Sequence, residues 1–130
     1  MIVLVSGSRT GFTYKEFNNY FSEHFNPNEV HEMVAGGAKG IDTFAKIYAK
    51  RNNIKFTEMF ADWDALGKKA GAVRNLDMLE YIKSKAVCRA DMKVVAFRYD
   101  FSSGTTHMIK SSKEMGIDLI IFDKNSFDFD

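Results

Sequence analysis

Cysteine, proline and tryptophan are nearly missing from this chain, which has one of each in 130 residues. The lone Cys88 excludes an internal disulfide framework and any CxxC metal or redox motif, leaving an ordinary thiol of a reducing compartment. His24, His31 and His107 lie far apart without ligand spacing, so no metal site is expected. No apolar run approaches the ~20 residues of a membrane span, and Met1 leads straight into a strand pattern instead of a leader. A cytoplasmic protein that keeps clear of membranes is expected. A dominant charge sign is missing too: 18 basic and 17 acidic residues give a net charge of +1. No whole-protein field draws in nucleic acid or acidic membranes, so any cationic site must be local and nucleic acid is not the expected partner.

What is present is apolar and aromatic, at 45% and 14% of residues. That fills one core and is too short for two ordinary domains, so residues 1–130 are read as one domain, with 123–130 as a tail that is either loose or docked. Short apolar runs alternate with amphipathic stretches. IVLVSG (Ile2 to Gly7) is a continuous apolar run closed by glycine, as in a strand buried on both faces. Thr13 and Glu16 form a capping box ahead of Tyr14, Phe17, Phe21 and Phe25 at helical spacing, and Pro27 ends that helix. Further strands are read at Glu29 to Ala35, Ile54 to Phe60, Lys93 to Phe97 and Ile117 to Phe122, with helices between them. This alternation predicts an α/β fold: a single Rossmann-like domain with about five mainly parallel strands and helices on both faces.

In such open sheets the ligand crevice lies beyond the carboxyl ends of the strands. That rule gathers GSRTG, GGAKG, ADWDALGKK and FSSGT on one edge. Gly36, Gly37 and Gly40, with Ala38 and Lys39 between them, form a strand-to-helix turn suited to an oxyanion, though it is neither a Walker A loop nor GxGxxG. Asp42 either favours the helix dipole or accepts a hydroxyl such as a ribose's. SSGTT, Ser102 to Thr106 around Gly104, either cradles an anion with its hydroxyls and amides or is plain N-capping by Ser103 or Thr105. Arg9, after Gly7 and Ser8, is either an edge ion pair or a ligand contact. Trp63 is core, lid or stacking platform. Lys68, Lys69 and Arg74 crowd the start of a helix, where the dipole disfavours cations by a few tenths of a kcal/mol each. Either the long basic side chains swing out into solvent at little cost, or a bound anion supplies the missing charge; the small Ala70, Gly71 and Ala72 between them, which let a ligand come close, favour the anion.

GSR after the first strand, VAGGAKGID, FADWDALGKKAGAVRN, VVAF and SSGTTHMI together resemble the YspA-like branch of the SLOG superfamily. This is the Rossmann-like group related to the DNA-processing protein DprA and the Lonely Guy proteins. The resemblance runs from Met1 to about Phe122. It implies a nucleotide or nucleotide-derived ligand, of the NAD or ADP-ribose kind, near Gly36, Gly37, Gly40, Asp42, Arg74, Asn75, Ser103, Gly104 and Thr105. It requires no cofactor, and it makes a phage or mobile-element origin plausible. One departure matters: Lonely Guy phosphoribohydrolases have PGGxGTxxE here, and Met108 stands where their catalytic glutamate would be. A thioether is neither acid nor base.

The leading expectation is a binding protein acting as sensor, carrier or sequestering sponge. A nucleotide N-glycosidase or phosphoribohydrolase with unassigned catalytic residues is the alternative, and single-stranded nucleic-acid binding is a weaker one. The abundance of Phe, 12 residues, points to more apolar surface than one small core hides, so a homo-oligomer is expected.

Overall fold

The computed structural model of the chain describes residues 1–127. Five parallel strands form one sheet in the order β3-β2-β1-β4-β5: β1 (Ile2–Gly7), β2 (Glu32–Gly36), β3 (Lys55–Met59), β4 (Met92–Tyr99) and β5 (Leu119–Lys124). The central β1 pairs with β4 from Ile2↔Met92 to Gly7↔Phe97, so the two strands end side by side. Every residue of β1 from Ile2 to Ser6 is buried, as its unbroken apolar run predicts for a strand covered on both faces.

Helices α1 (Tyr14–His24) and α2 (Ile41–Arg51) cover one face, where Phe17, Phe21, Ile41 and Tyr48 pack on Val3, Val5, Val95 and Phe97. Helices α4 (Ala70–Lys85) and α5 (Ser103–Glu114) cover the other, where Met78, Leu79, Ile82 and Met108 pack on Ile2, Leu4, Val34 and Val94. The chain is thus a single-sheet Rossmann-like α/β fold. The capping box is made as read: Glu16 N–H donates to Thr13 Oγ1 at 3.1 Å and Thr13 N–H to Glu16 Oε1 at 2.9 Å.

Several boundaries move. The second strand starts at Glu32 because Pro27–Glu29 winds into a 3-10 turn, held by Asn28 N–H donating to Asn26 Oδ1 at 3.0 Å. The expected ADW loop contains a short helix, α3 (Trp63–Leu66), started by Asp62 accepting from Ala65 N–H at 3.1 Å. A 3-10 turn, Gly67–Lys69, then leads into α4. At the far end, β5 carries on to Lys124, whose ammonium meets Glu16 at 2.9 Å, and Ser126 N–H donates to Asp100 Oδ1 at 2.7 Å. The chain is therefore docked that far, while residues 128–130 lie outside the described residues.

Candidate functional site

The order of the strands locates the site. From β1 the chain winds outward through β2 to β3 on one side, then crosses back through α4 to β4 on the other. The reversal falls between β1 and β4, and a crevice of about 540 Å³ opens where those two strands end.

The end of β1 and the turn after it supply Gly7, Ser8 and Arg9 to the crevice; α4 supplies Arg74 and Asn75; α5 supplies Ser103, Gly104 and Thr105. Ala38, Asp42 and Trp63 complete the set of expected residues that face it. Gly37 lines a smaller adjoining cavity of about 270 Å³ instead. Gly36, Gly40 and Lys39 line neither. Gly36 lies beneath the Arg74 guanidinium, and a Cβ there would collide with Nη1. Gly40 adopts φ +77°, and a Cβ on it would stand 2.6 Å from the Ser8 and Arg9 carbonyl oxygens. Both glycines shape the site from behind. Lys39 is exposed.

The crevice mixes polar groups that the protein satisfies internally with a few that it leaves without partners. Ser102 is the N-cap of α5, yet its hydroxyl bonds to Ser8 Oγ at 2.9 Å and makes no bond to the helix. Ser103 and Thr105, read as possible caps, sit inside the first turn, where backbone N–H groups have no helical acceptor. All three residues of that turn, Ser103, Gly104 and Thr105, line the crevice. Ser6 and Thr105, 8% and 3% exposed, line it with hydroxyls that hold no hydrogen bond. Arg74 Nε is buried without a partner, and neither Arg74 nor Arg9 makes an ion pair among the described residues. The edge ion pair considered for Arg9 is therefore not formed.

Asp42 is 5% exposed and accepts from Ala38 N–H at 3.2 Å. Burial pushes its carboxyl up to about 6, against the opposing pull of that hydrogen bond and of the Arg74 charge. Asn75 is also buried, and its amide nitrogen donates to Gly104 O at 3.2 Å and meets His107 Nδ1 at 3.1 Å. Since a carbonyl can only accept, the Asn75 nitrogen is the donor in both. This makes His107 Nδ1 an acceptor and puts the ring proton on Nε2.

The crowding of cations at α4 is looser than the sequence implies. Lys68 and Lys69 precede the helix in the 3-10 turn, and Arg74 lies beyond its first turn, where the dipole has faded. Of the two lysines, Lys68 reaches the crevice. Trp63 is 52% exposed, which makes it a rim residue and not part of the core. Met108 is fully buried and packs on the sheet from α5, so this side chain faces the core and not the crevice. Ser6, Tyr99 and His107 are lining residues that sequence reasoning missed, whereas Ser102 belongs to the SSGTT run read as a cradle. The one available signal was the serine inside IVLVSG.

Fold and crevice together define a Rossmann-like α/β domain with a polar site at the switch point of a parallel sheet. In comparisons with known proteins, the chain is 34% identical over 95 residues to the gene 61 protein of Mycobacterium phage D29, covering 69% of this chain and 70% of that protein. The chain belongs to the family of that phage gene product. No family model matches the chain. No solved structure matches it either. Among the described residues, no helix is long and apolar enough to cross a membrane.

Proposed function

We propose that the protein binds a nucleotide or nucleotide-derived phosphorylated ligand in this crevice, as a sensor, carrier or sequestering sponge of the SLOG kind. The observation that carries the reading is the set of unpartnered donors around one space: Arg74, Arg9, the first amides of α5 and the Ser6 and Thr105 hydroxyls. Arg74 Nε, Ser6 and Thr105 are buried, where polar groups are normally hydrogen-bonded, while Arg9, Ser103 and Gly104 are open to water; an anionic ligand would complete the buried donors and be drawn in by the exposed ones. The volume, about 540 Å³, suits a ligand of nucleotide size. Asp42 offers a carboxylate to a sugar hydroxyl. The phage relative is in keeping with a phage-borne sponge. Self-association belongs to the same proposal, since Leu76, Val87 and Phe101 leave apolar surface in water.

Native mass spectrometry of gently purified protein tests both parts. The expected spectrum is a homo-oligomer with a nucleotide-like molecule released per chain; a bare monomer that takes up nothing from a nucleotide panel would sink the reading. Arg74→Ala is expected to weaken binding by about 1.5–3 kcal/mol, the range for a hydrogen bond to a charged group, without loss of fold. Unchanged affinity would remove Arg74 from the site.

A second reading, a nucleotide N-glycosidase, is favoured by one observation. Asp42 is a buried carboxyl in the crevice that titrates near neutrality, at about 6, where a general base for water is effective. It predicts released base and ribose phosphate on incubation, abolished in Asp42→Asn. Intact nucleotides across a broad panel would count against it.

A further inference from the structure

The two cavities are not independent. The crevice and the smaller space of about 270 Å³ share Arg9, Ala38, Trp63 and Arg74 as a common wall, so the two arginines stand between two chambers. The chambers differ in chemistry. The crevice presents hydroxyls, amides and the Asp42 carboxylate. The annex presents Phe60, Ala61, Trp63 and the bare backbone of Gly37.

Its aromatic rings are placed at a cost. Phe60 directly follows β3 and is 69% exposed, while Trp63 is 52% exposed. The Phe60 ring lies so close on Gly37 that any Cβ there would collide with it. A glycine at that point is what allows the ring to lie over the loop, and the ring then faces water beside two unpaired guanidinium groups. Water is a poor partner for such a face. A planar ring of a ligand is a good one, because every base has a π-face to stack on an aromatic side chain.

We infer that the annex is a second compartment of the same site, which takes the planar base of the ligand against Phe60 and Trp63 while its phosphates cross between Arg9 and Arg74. The part beyond the phosphates, a second sugar, fills the crevice, with its hydroxyls on Asp42 and on the Ser6 and Thr105 side chains. The ligand class is thus a nucleoside diphosphate extended by a sugar. This rests on the nucleotide reading above and assigns each part of that ligand to a chamber.

Trp63 is the only tryptophan of the chain and lines the annex with Phe60, so its emission reports, without a label, a base stacked there. The experiment titrates the full chain with ADP-ribose and, separately, with ribose 5-phosphate, reading Trp63 fluorescence and calorimetric affinity. The expected result is that ADP-ribose changes the emission and binds tighter. Ribose 5-phosphate, which has no base, binds more weakly and leaves the emission nearly unchanged. Phe60→Ser, a change at an exposed side chain, should weaken ADP-ribose about tenfold, within the range for loss of one stacking ring, and leave ribose 5-phosphate within about twofold. Binding of ADP-ribose with unaltered emission, or a Phe60→Ser effect that is equal for both compounds or zero for both, overturns the annex while leaving the nucleotide reading in place. Absence of binding by both compounds overturns the two together.

Discussion

Asp42 carries a tension between folding and function. Its carboxyl titrates at about 6 in the folded chain against an ordinary value of 3.8, chiefly because burial disfavours the charge. The folded state therefore holds this proton more tightly than the unfolded one. The resulting stability is fully present below about pH 4 and is lost as pH rises through about 6. A gap of about two pH units is worth on the order of 3 kcal/mol. Asp42→Asn keeps the acceptor for Ala38 N–H and removes the charge. The variant should be more stable than the parent at pH 8 by up to about that amount, with the advantage shrinking toward pH 4. Urea unfolding of both proteins at pH 4, 6 and 8 measures this, and parallel pH profiles would show that burial of Asp42 is not what sets the slope. Other carboxylates act in the opposite direction. For Glu32, burial pushes the pKa up, but hydrogen bonds from Thr57 and Tyr81 outweigh it and hold the group below its ordinary value. Its contribution is lost as pH falls through the acid range, so comparing variant with parent isolates Asp42.

At the scale of elements, the strands were legible because a parallel sheet covered on both faces leaves unbroken apolar runs such as IVLVSG. The first helix was legible because Thr13 and Glu16 make both bonds of a local motif. What escaped was either weakly coded or not local. Asp62 starts a four-residue helix in what reads as a loop, where no apolar period has room to appear. His107 reaches the crevice only because α5 lies beside α4 and brings it to Asn75, 32 positions earlier. No spacing in the sequence encodes such a pair. Ser102, read with the anion cradle, turns its hydroxyl to Ser8, tying the ends of β1 and β4 together. The glycine loop after β2 was legible by type, yet the work of its members divides. Gly40 lets α2 start against the turn after β1, where Ile41 N–H donates to Ser8 O at 3.3 Å. With φ at +77° and carbonyl oxygens 2.6 Å from a new Cβ, Gly40→Ala should cost roughly 1–3 kcal/mol and displace Asp42 with the helix. A variant whose urea midpoint matches the parent's would mean that the loop adjusts freely and does not fix the site.

For the whole molecule, charge balance decides which partners can stabilise it. The net charge of +1 provides no long-range attraction for a polyanion, whereas Arg9, Lys68 and Arg74 converge on one crevice. A small anion can enter that crevice and meet all three; a single-stranded oligonucleotide would have to follow a basic track across the surface, which a balanced surface does not favour. A ligand that binds only the folded chain adds about 2.7 kcal/mol at a hundred times its dissociation constant. For a domain of this length that amounts to a rise in melting temperature on the order of 10 °C. Thermal shift with mononucleotides, ADP-ribose, NAD and a labelled oligonucleotide, at 50 and 200 mM salt, therefore separates the partner classes. A large rise with a small nucleotide that largely survives the added salt is expected, because screening acts less on partly buried pairs than on exposed ones. A rise produced by the oligonucleotide alone and abolished at the higher salt would move the binding surface out of the crevice and onto the outside of the molecule.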